Sequence, residues 1–465
     1  KQINEQLGDV PITFADINKA EKILNYKPKV GIEEGLTKTY NWLKEYNNSE
    51  KIFITGENKL NGKVKISGAK NAALPLMALS LIINKDFTLF NVPDLADTRL
   101  MSTLLIDLGI NINWKNGKID FNGAPKKEEA SYDLVRKMRA SILVLGPLVA
   151  KYGEAKIALP GGCAIGSRPV NYHLDALEQL GATITLKNGY IEASAKKLIG
   201  SKIKFDGITV TGTENIMMAA CLAEGTTTLT NVAKEPEIID LAEFLNKMGA
   251  KISGAGSDEI TIEGVGRLHG TIHSIPADRI EAGTYLVAAL VTKGEIKING
   301  INPNRLIKVL DKLIETGANV ETTENSITLT MNKDKPKPVD ITTAPFPEFP
   351  TDMQAQFSVI NALANGVSNI YETVFENRFM HVQELNRMGC NIQINGNQAI
   401  IEGVDSLYGA EVMATDLRAS ASLILAGLCA KGETKVDRIY HIDRGYERIE
   451  EKLNYLGANI IRLPS

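Results

Sequence analysis

Arginine is the scarce cation of this chain: 14 arginines stand against 38 lysines. Where lysine already supplies solubility, a retained arginine is more often one whose planar fork grips a carboxylate or a phosphate. Arg139, Arg168, Arg378, Arg418 and Arg444 all fall at helix starts or in loops, at equivalent edges of a repeated unit. Any one alone has the ordinary reading of a cap or surface residue; together they read as a site for a polyanion. A thiol sits in the most irregular stretch, LPGGCAIGSRPVNYH, Leu159 to His173. Glycines precede Cys163 and Arg168 follows it. Nearby cations promote thiolate character, so Cys163 is a candidate acid or nucleophile, against the commoner case of an exposed loop cysteine. Cys221, Cys390 and Cys429 lie in apolar stretches and read as buried fillers. His173 and His441 read as hydrogen-bonded structural residues. No His, Asp or Glu set has metal-ligand spacing and no C-x-x-C pair occurs, so neither a metal site nor a disulfide framework is expected.

The elements that must position these residues recur six times. A helix-ending phrase runs into a strand as LGININ, LGATIT, MGAKIS, TGANVE, MGCNIQ and LGANII, and its glycines, Gly109, Gly181, Gly249, Gly317, Gly389 and Gly457, are 72, 68, 68, 72 and 68 residues apart. Such a period marks a copied supersecondary unit. Each glycine suits the left-handed residue that ends a helix. Every copy opens with a largely apolar helix that carries a polar residue in its first turn: Lys70, Arg139, Glu214, Glu281, Asp352 and Arg418. A strand, a loop, an amphipathic helix such as EIIDLAEFLNKM and two further strands complete the unit. The apolar helices belong inside and the amphipathic ones outside. Two sets of three units give two α/β domains with a cleft between them, and helix N-termini facing that cleft make it attractive to anions.

Totals narrow the partner. In 465 residues, Lys plus Arg number 52 and Asp plus Glu 55, so no basic field invites nucleic acid or an anionic membrane. No apolar run is long enough to span a bilayer and Lys1 to Pro11 lack a signal-peptide core, so a cytoplasmic location without membrane insertion is expected. Residues 1–48 stand outside the repeat. They read as two helices, one after Asp16 and one from Ile32 to Tyr46, broken at Tyr26-Lys27-Pro28. FADINKAEKILNYKPKVGIEEGLTKTYNWLKEY resembles the C-terminal tail of nucleotide-sugar epimerases, without the dinucleotide fingerprint of those enzymes; an appended remnant is the expectation.

Eight motifs from about Lys51 to the end carry a second resemblance: SGAKNAALP, MRAS, PGGCAIGSRPV, AKEPEI, FPTDMQAQ, ETVFENRFMH, ATDLRASASL and RIYHIDRGYERIEEKL. They closely resemble the UDP-N-acetylglucosamine 1-carboxyvinyltransferases, the enolpyruvyl transferases of peptidoglycan synthesis. The resemblance implies a two-domain inside-out α/β barrel of six βαβαββ units. Residues 70–277 would form the N-terminal domain and 51–69 with 278–465 the C-terminal one, with crossings near Lys70 and Asp278. It implies phosphoenolpyruvate and UDP-N-acetylglucosamine as partners, no cofactor, sensitivity to fosfomycin at Cys163, and a monomer as the favoured state.

By motif, the resemblance makes Asp352 the candidate base and Cys163 the acid or a group assisting product release. Lys70, Arg168 and Arg444 would bind phosphoenolpyruvate, with Arg139 and Arg418 supporting charge. Asn71 and Asp416 would position sugar and intermediate, Glu235 and Arg378 would shape the closed cleft, and Val374 would contact substrate. The uridine side would fall on Arg168, Pro169, Val170, Asn171 and Tyr172 and on Ile208, Thr209, Val210 and Thr211. Asn171 stands where some members carry Asp, and Gly207 where some carry Lys. Asp352, Glu235 and Asp416 have helix capping as their structural alternative, and a helix N-terminus lowers a carboxylate's pKa. Two rivals remain: a shikimate-type enolpyruvyl transferase, which gives the Cys163 loop and the nucleotide stretch no role, and a non-catalytic nucleotide-sugar binder.

Overall fold

The six glycines of the repeat all end helices in the left-handed conformation, with φ between +94° and +112°. In five copies the residue after the glycine donates its N–H back over the last turn, as Ile110 does to the Leu105 carbonyl (3.0 Å), Ala250 to Leu245 (3.0 Å) and Ala458 to Leu453 (3.0 Å). That bond satisfies a carbonyl the helix would otherwise leave open and turns the chain into the next strand. In three copies an asparagine before the glycine secures the same corner: Asn246, Asn386 and Asn454 each exchange two hydrogen bonds with the backbone of Ile252, Ile392 and Ile460.

The computed structural model describes residues 31, 33–37, 50–83, 86–160 and 170–463. Two compact units separate, Glu50–Leu463 and Lys1–Ser49 with Pro464–Ser465. In the smaller unit residues 33–37 are helical, within the second helix expected there; the remainder of that pair lies outside the described residues.

Within Glu50–Leu463 lie six four-stranded sheets. Five share one plan: an edge strand runs parallel to the next, which pairs antiparallel with a hairpin. In one, Lys202–Lys204 pairs parallel with Thr226–Thr230, which pairs with Glu259–Glu263 and so with Lys251–Ser253. The sixth is completed from the opposite end of the sequence. Lys51–Thr55 inserts between Glu433–Asp437 and Asn459–Leu463, Ile54 opposite Thr434 and Ile460. Asn61–Lys65 then becomes the parallel edge beside Glu295–Asn299, while Ile272–Ser274 returns to Phe87–Phe90. The strands at the start of the repeat region thus belong with its last three copies.

The six opening helices are α1 (Lys70–Ala78), α2 (Leu145–Tyr152), α3 (Val210–Ala220), α4 (Arg279–Val291), α5 (Gln354–Ala362) and α6 (Leu417–Cys429). A 3-10 turn precedes α2 (Arg139–Val144) and α5 (Thr351–Met353). Every residue of α4 and α5 is buried, including the polar Gln354, Gln356, Ser358 and Asn361 of α5. They sit in two hydrophobic clusters, one drawn from Ala69 to Ile275 and the other from Ile52–Ile66 and Ile280–Ile460. In the second lobe α4, α5 and α6 pack on one another. Their N-terminal ends are stitched by Tyr446, whose hydroxyl meets Thr284 Oγ1 at 2.8 Å and accepts from Arg418 Nη1 at 3.3 Å, while Gln356 Nε2 donates to Thr284 Oγ1 at 3.2 Å. This network aligns the helix starts that carry Glu281, Asp352 and Arg418.

The chain crosses between lobes on two adjacent extended segments. Gly68 bridges Ala277, with Ala69 N–H donating to Pro276 O (2.7 Å) and Asp278 N–H to Ser67 O (2.9 Å). A Cβ on Gly68 would fall 1.9 Å from the Asn91 carbonyl oxygen, so this approach requires glycine.

Candidate active site

Lys70, the first residue of α1, places Nζ 2.6 Å from Asp97 Oδ2. Arg444, at the end of the 3-10 helix Ile439–Arg444, brings Nε to within 2.9 Å of Asp97 Oδ1 and Nη2 to within 3.3 Å of Oδ2. One carboxylate is therefore held by a cation from each lobe. Burial pushes the Asp97 carboxyl up, but the charges of Lys70 and Arg444 outweigh it and the net displacement is downward. Asn71 is exposed beside Lys70.

Asp352 sits in a second knot. Arg378 Nη2 donates to its Oδ1 at 2.7 Å and Arg418 Nη2 to its Oδ2 at 2.8 Å. The two arginine side chains are almost wholly buried, while Asp352 keeps 26% of its side chain exposed. Burial would raise its carboxyl; Arg418 and Arg378 more than offset that and hold it far below the carboxylate range. Its neighbours, rather than helix capping, set its charge. Asp416 does act as a cap, accepting from the N–H groups of Arg418 (2.8 Å) and Ala419 (3.0 Å) at the start of α6.

Glu235 precedes the helix Pro236–Lys247 but makes no side-chain cap, which corrects the capping alternative for it. Its Oε2 is buried without a hydrogen-bond partner among the described residues, and burial raises its carboxyl. Beside it Arg279 Nε donates to Glu237 Oε1 at 3.1 Å. Glu214, which the structure places in the second turn of α3 and not in the first, is 2% exposed and is pushed well up by burial and then by Glu237 and Glu235. Glu281 is buried too and is taken by Lys452 Nζ (2.6 Å) and the Ser67 N–H (2.7 Å), so the polar openings of the repeat do not all face one place.

The two stretches expected on the uridine side meet. His173 lies between them, with Nε2 3.3 Å from Thr211 Oγ1 and Nδ1 3.0 Å from Asn215 Nδ2. Burial and the charge of Arg139 lower it to about 3, so it is a neutral tie between helices, in keeping with its structural reading. Thr209 Oγ1 caps α3 by accepting from Gly212 N–H at 3.1 Å. Asn171 and Ile208 are exposed, and Val170, Tyr172, Val210 and Thr211 half-buried. The Tyr172 ring occupies the space beside Gly207, where a Cβ would lie 2.6 Å from its hydroxyl. Arg139 is half-buried at the start of its 3-10 helix, and Val374 is half-buried in the loop before the helix His381–Arg387. Cys163, Arg168 and Pro169 lie outside the described residues. Cys221 and Cys390 are buried and burial raises their thiols, Cys221 to about 12; Cys429 is half-buried and its Sγ approaches the Leu425 and Ala426 carbonyls of its own helix.

Asp97, Arg279 and Tyr446 are the participants that sequence reasoning passed over. Asp97 in PDLADTRL looks like any acidic residue in a first helical turn, and only its two distant partners distinguish it. Arg279 met the criterion of a scarce arginine at a helix start and was legible on that ground.

A family model described as EPSP synthase (3-phosphoshikimate 1-carboxyvinyltransferase) matches residues 54–453. Among curated proteins, the UDP-N-acetylglucosamine 1-carboxyvinyltransferase of Hydrogenovibrio crunogenus is 57% identical over 416 residues, 89% of this chain and 99% of its own length. The chain belongs to the UDP-N-acetylglucosamine 1-carboxyvinyltransferase family. The member from Ruthia magnifica is 56% identical over 415 residues, again 89% of this chain and 99% of its own. Among solved structures, the enolpyruvyl transferase NikO from Streptomyces tendae superposes with a TM-score of 0.80 at 25% identity, over 90% of this chain and all of its own. An EPSP synthase from Acinetobacter baumannii shares the fold of this carboxyvinyltransferase family member at a TM-score of 0.71 and 20% identity, over 89% of this chain and 100% of its own.

Proposed function

We propose that the chain transfers the enolpyruvyl group of phosphoenolpyruvate to the 3'-hydroxyl of UDP-N-acetylglucosamine, releasing phosphate through a tetrahedral ketal. Residues 70–277 act as one lobe and 51–69 with 278–465 as the other, with substrates between them. The observation that carries this reading is the convergence of Lys70 and Arg444, one from each lobe, on a single carboxylate. Cations so placed are suited to a ligand bearing both a carboxylate and a phosphate.

Chemistry needs a base for the sugar hydroxyl and an acid for the enol methylene. Asp352 is the base. Held by two arginines it is a weak one, so an anionic substrate must draw Arg378 or Arg418 away before it can take a proton. Binding and proton transfer are thereby coupled. Asn71 and Asp416 position sugar and intermediate. The stretch Val170–Tyr172 with Ile208–Thr211 takes the uridine end, where Tyr172 fills the place a side chain at 207 would need. Cys163 acts as the acid or assists product release, and Arg168 and Pro169 complete the phosphate and nucleotide contacts.

Phosphate release tests the reading. It is expected with phosphoenolpyruvate and UDP-N-acetylglucosamine and absent when shikimate 3-phosphate replaces the sugar nucleotide. The opposite preference would identify a shikimate-type transferase, and binding of the sugar nucleotide without release would identify a binder.

A further inference from the structure

We propose that Glu372 is a positioning residue for the transfer, a buried carboxylate that holds Arg378, and through it Asp352, in working geometry. The proposal rests on the reading of Asp352 as base. Glu372 directly follows the strand Val367–Tyr371 and is 3% exposed. Its Oε1 accepts from Thr343 Oγ1 (2.9 Å), Val374 N–H (2.9 Å) and Phe375 N–H (3.1 Å), and its Oε2 accepts from Thr351 Oγ1 (2.8 Å). Four neutral donors thus surround one buried charge. A carboxylate taken out of water is costly unless its lone pairs are met, and four donors meet them without a cation. A glutamine could not serve all four, because half of its amide donates.

What this arrangement organises lies next to the proposed chemistry. The Thr351 hydroxyl spends its proton on Glu372, which leaves a lone pair for Arg378 Nη1 at 3.0 Å. Arg378 then directs Nη2 to Asp352 Oδ1 at 2.7 Å. Its guanidinium also lies over the Phe375 ring, 5.1 Å from the centroid, and the Phe375 backbone is itself fixed by Glu372. One carboxylate therefore sets the loop that carries Val374, the turn that carries Asp352 and the arginine between them. An arginine anchored on three sides is aimed before substrate arrives, which is the condition for a charged group to act without reorganising.

Thr351→Val cuts the relay between Glu372 and Arg378 while leaving the hold on the loop amides. Its kcat is expected to fall 10- to 100-fold with little change in KM for phosphoenolpyruvate, because only the aim of the arginine is lost. The acidic limb of its pH profile should move to higher pH, since a loosened Arg378 no longer depresses the Asp352 carboxyl as strongly. Thr351→Ser restores the hydroxyl and should recover at least half of wild-type kcat. Glu372→Gln should lower kcat and also raise KM for the sugar nucleotide, through the Val374 loop. A Thr351→Val enzyme with wild-type kcat and pH profile and only a lower Tm overturns the proposal, as does a Thr351→Ser enzyme as impaired as the valine variant. Turnover retained in Asp352→Asn would instead overturn the base itself; turnover lost there but intact in Thr351→Val sinks this proposal alone.

Discussion

At the scale of single residues, the chemistry of this chain is a matter of which carboxylates are charged and what holds them. Asp352 and Asp97 are each gripped by two cations, whereas Glu214 and Glu235 are pushed toward their neutral forms by burial. Replacing Asp352 with Asn keeps the shape and removes the proton acceptor. Phosphate release is expected to fall by about 10²- to 10⁴-fold, the usual worth of a positioned base. Single-turnover assays with saturating substrates would measure it, and a loss below tenfold would exclude that role. The sequence already marked Asp352, Arg378 and Arg418 as candidates, because their motifs were explicit. It did not show that both arginines bind Asp352 directly, since Arg378 lies 26 residues on in a loop of the same unit and Arg418 66 residues on at the start of the next, and no local spacing encodes such a meeting.

At the scale of elements, the repeated corner decides how each helix hands over to its strand. Gly181 adopts φ +95° with nothing within 4 Å of where a Cβ would be, so Gly181→Ala tests backbone conformation free of any clash. It is expected to cost about 1–2 kcal/mol, the penalty of a left-handed alanine, read as a lower urea midpoint at unchanged m. Gly68→Ala should be far worse, because the Asn91 carbonyl is in the way. Helix ends were readable because glycine there answers a local demand. The 3-10 turns before α2 and α5 were not: both stretches look like plain helix starts, and the tightened turn accompanies side-chain partners such as Arg378 and Arg418 around Asp352.

At the scale of the whole molecule, the lobes are also joined away from Asp352. Arg305 grips Asp240 with both guanidinium nitrogens, at 2.6 and 2.7 Å, and ties the helix Pro236–Lys247 to the second lobe. Arg305→Met leaves the buried Asp240 charge unmatched and should cost about 2 kcal/mol in urea unfolding. Adding Asp240→Asn should recover part of it, as removing both partners of a buried pair costs less than removing one. At the crossover, Glu281 is raised from 4.5 to about 7, by burial first, with Lys452 opposing. Between these values the folded chain keeps a proton that the unfolded chain has lost. The associated stability is intact below pH 4.5, declines as pH rises and is gone above about 7. Glu281→Gln should flatten that slope, on the order of 3 kcal/mol across the window, in unfolding measured from pH 4.5 to 8.

The sequence by itself determined the six-unit repeat, the corners that end its helices and the inward burial of its opening helices, since periodicity and turn chemistry act over a few residues. Its motifs also carried the family. Only the tertiary structure decided that Lys51–Thr55 completes the last sheet, that Asp97 joins Lys70 to Arg444, and that Glu281 turns inward while Asp352 stays partly open. Such outcomes depend on pairing between strands and side chains hundreds of residues apart, where burial and charge of the assembled lobes outweigh any local preference.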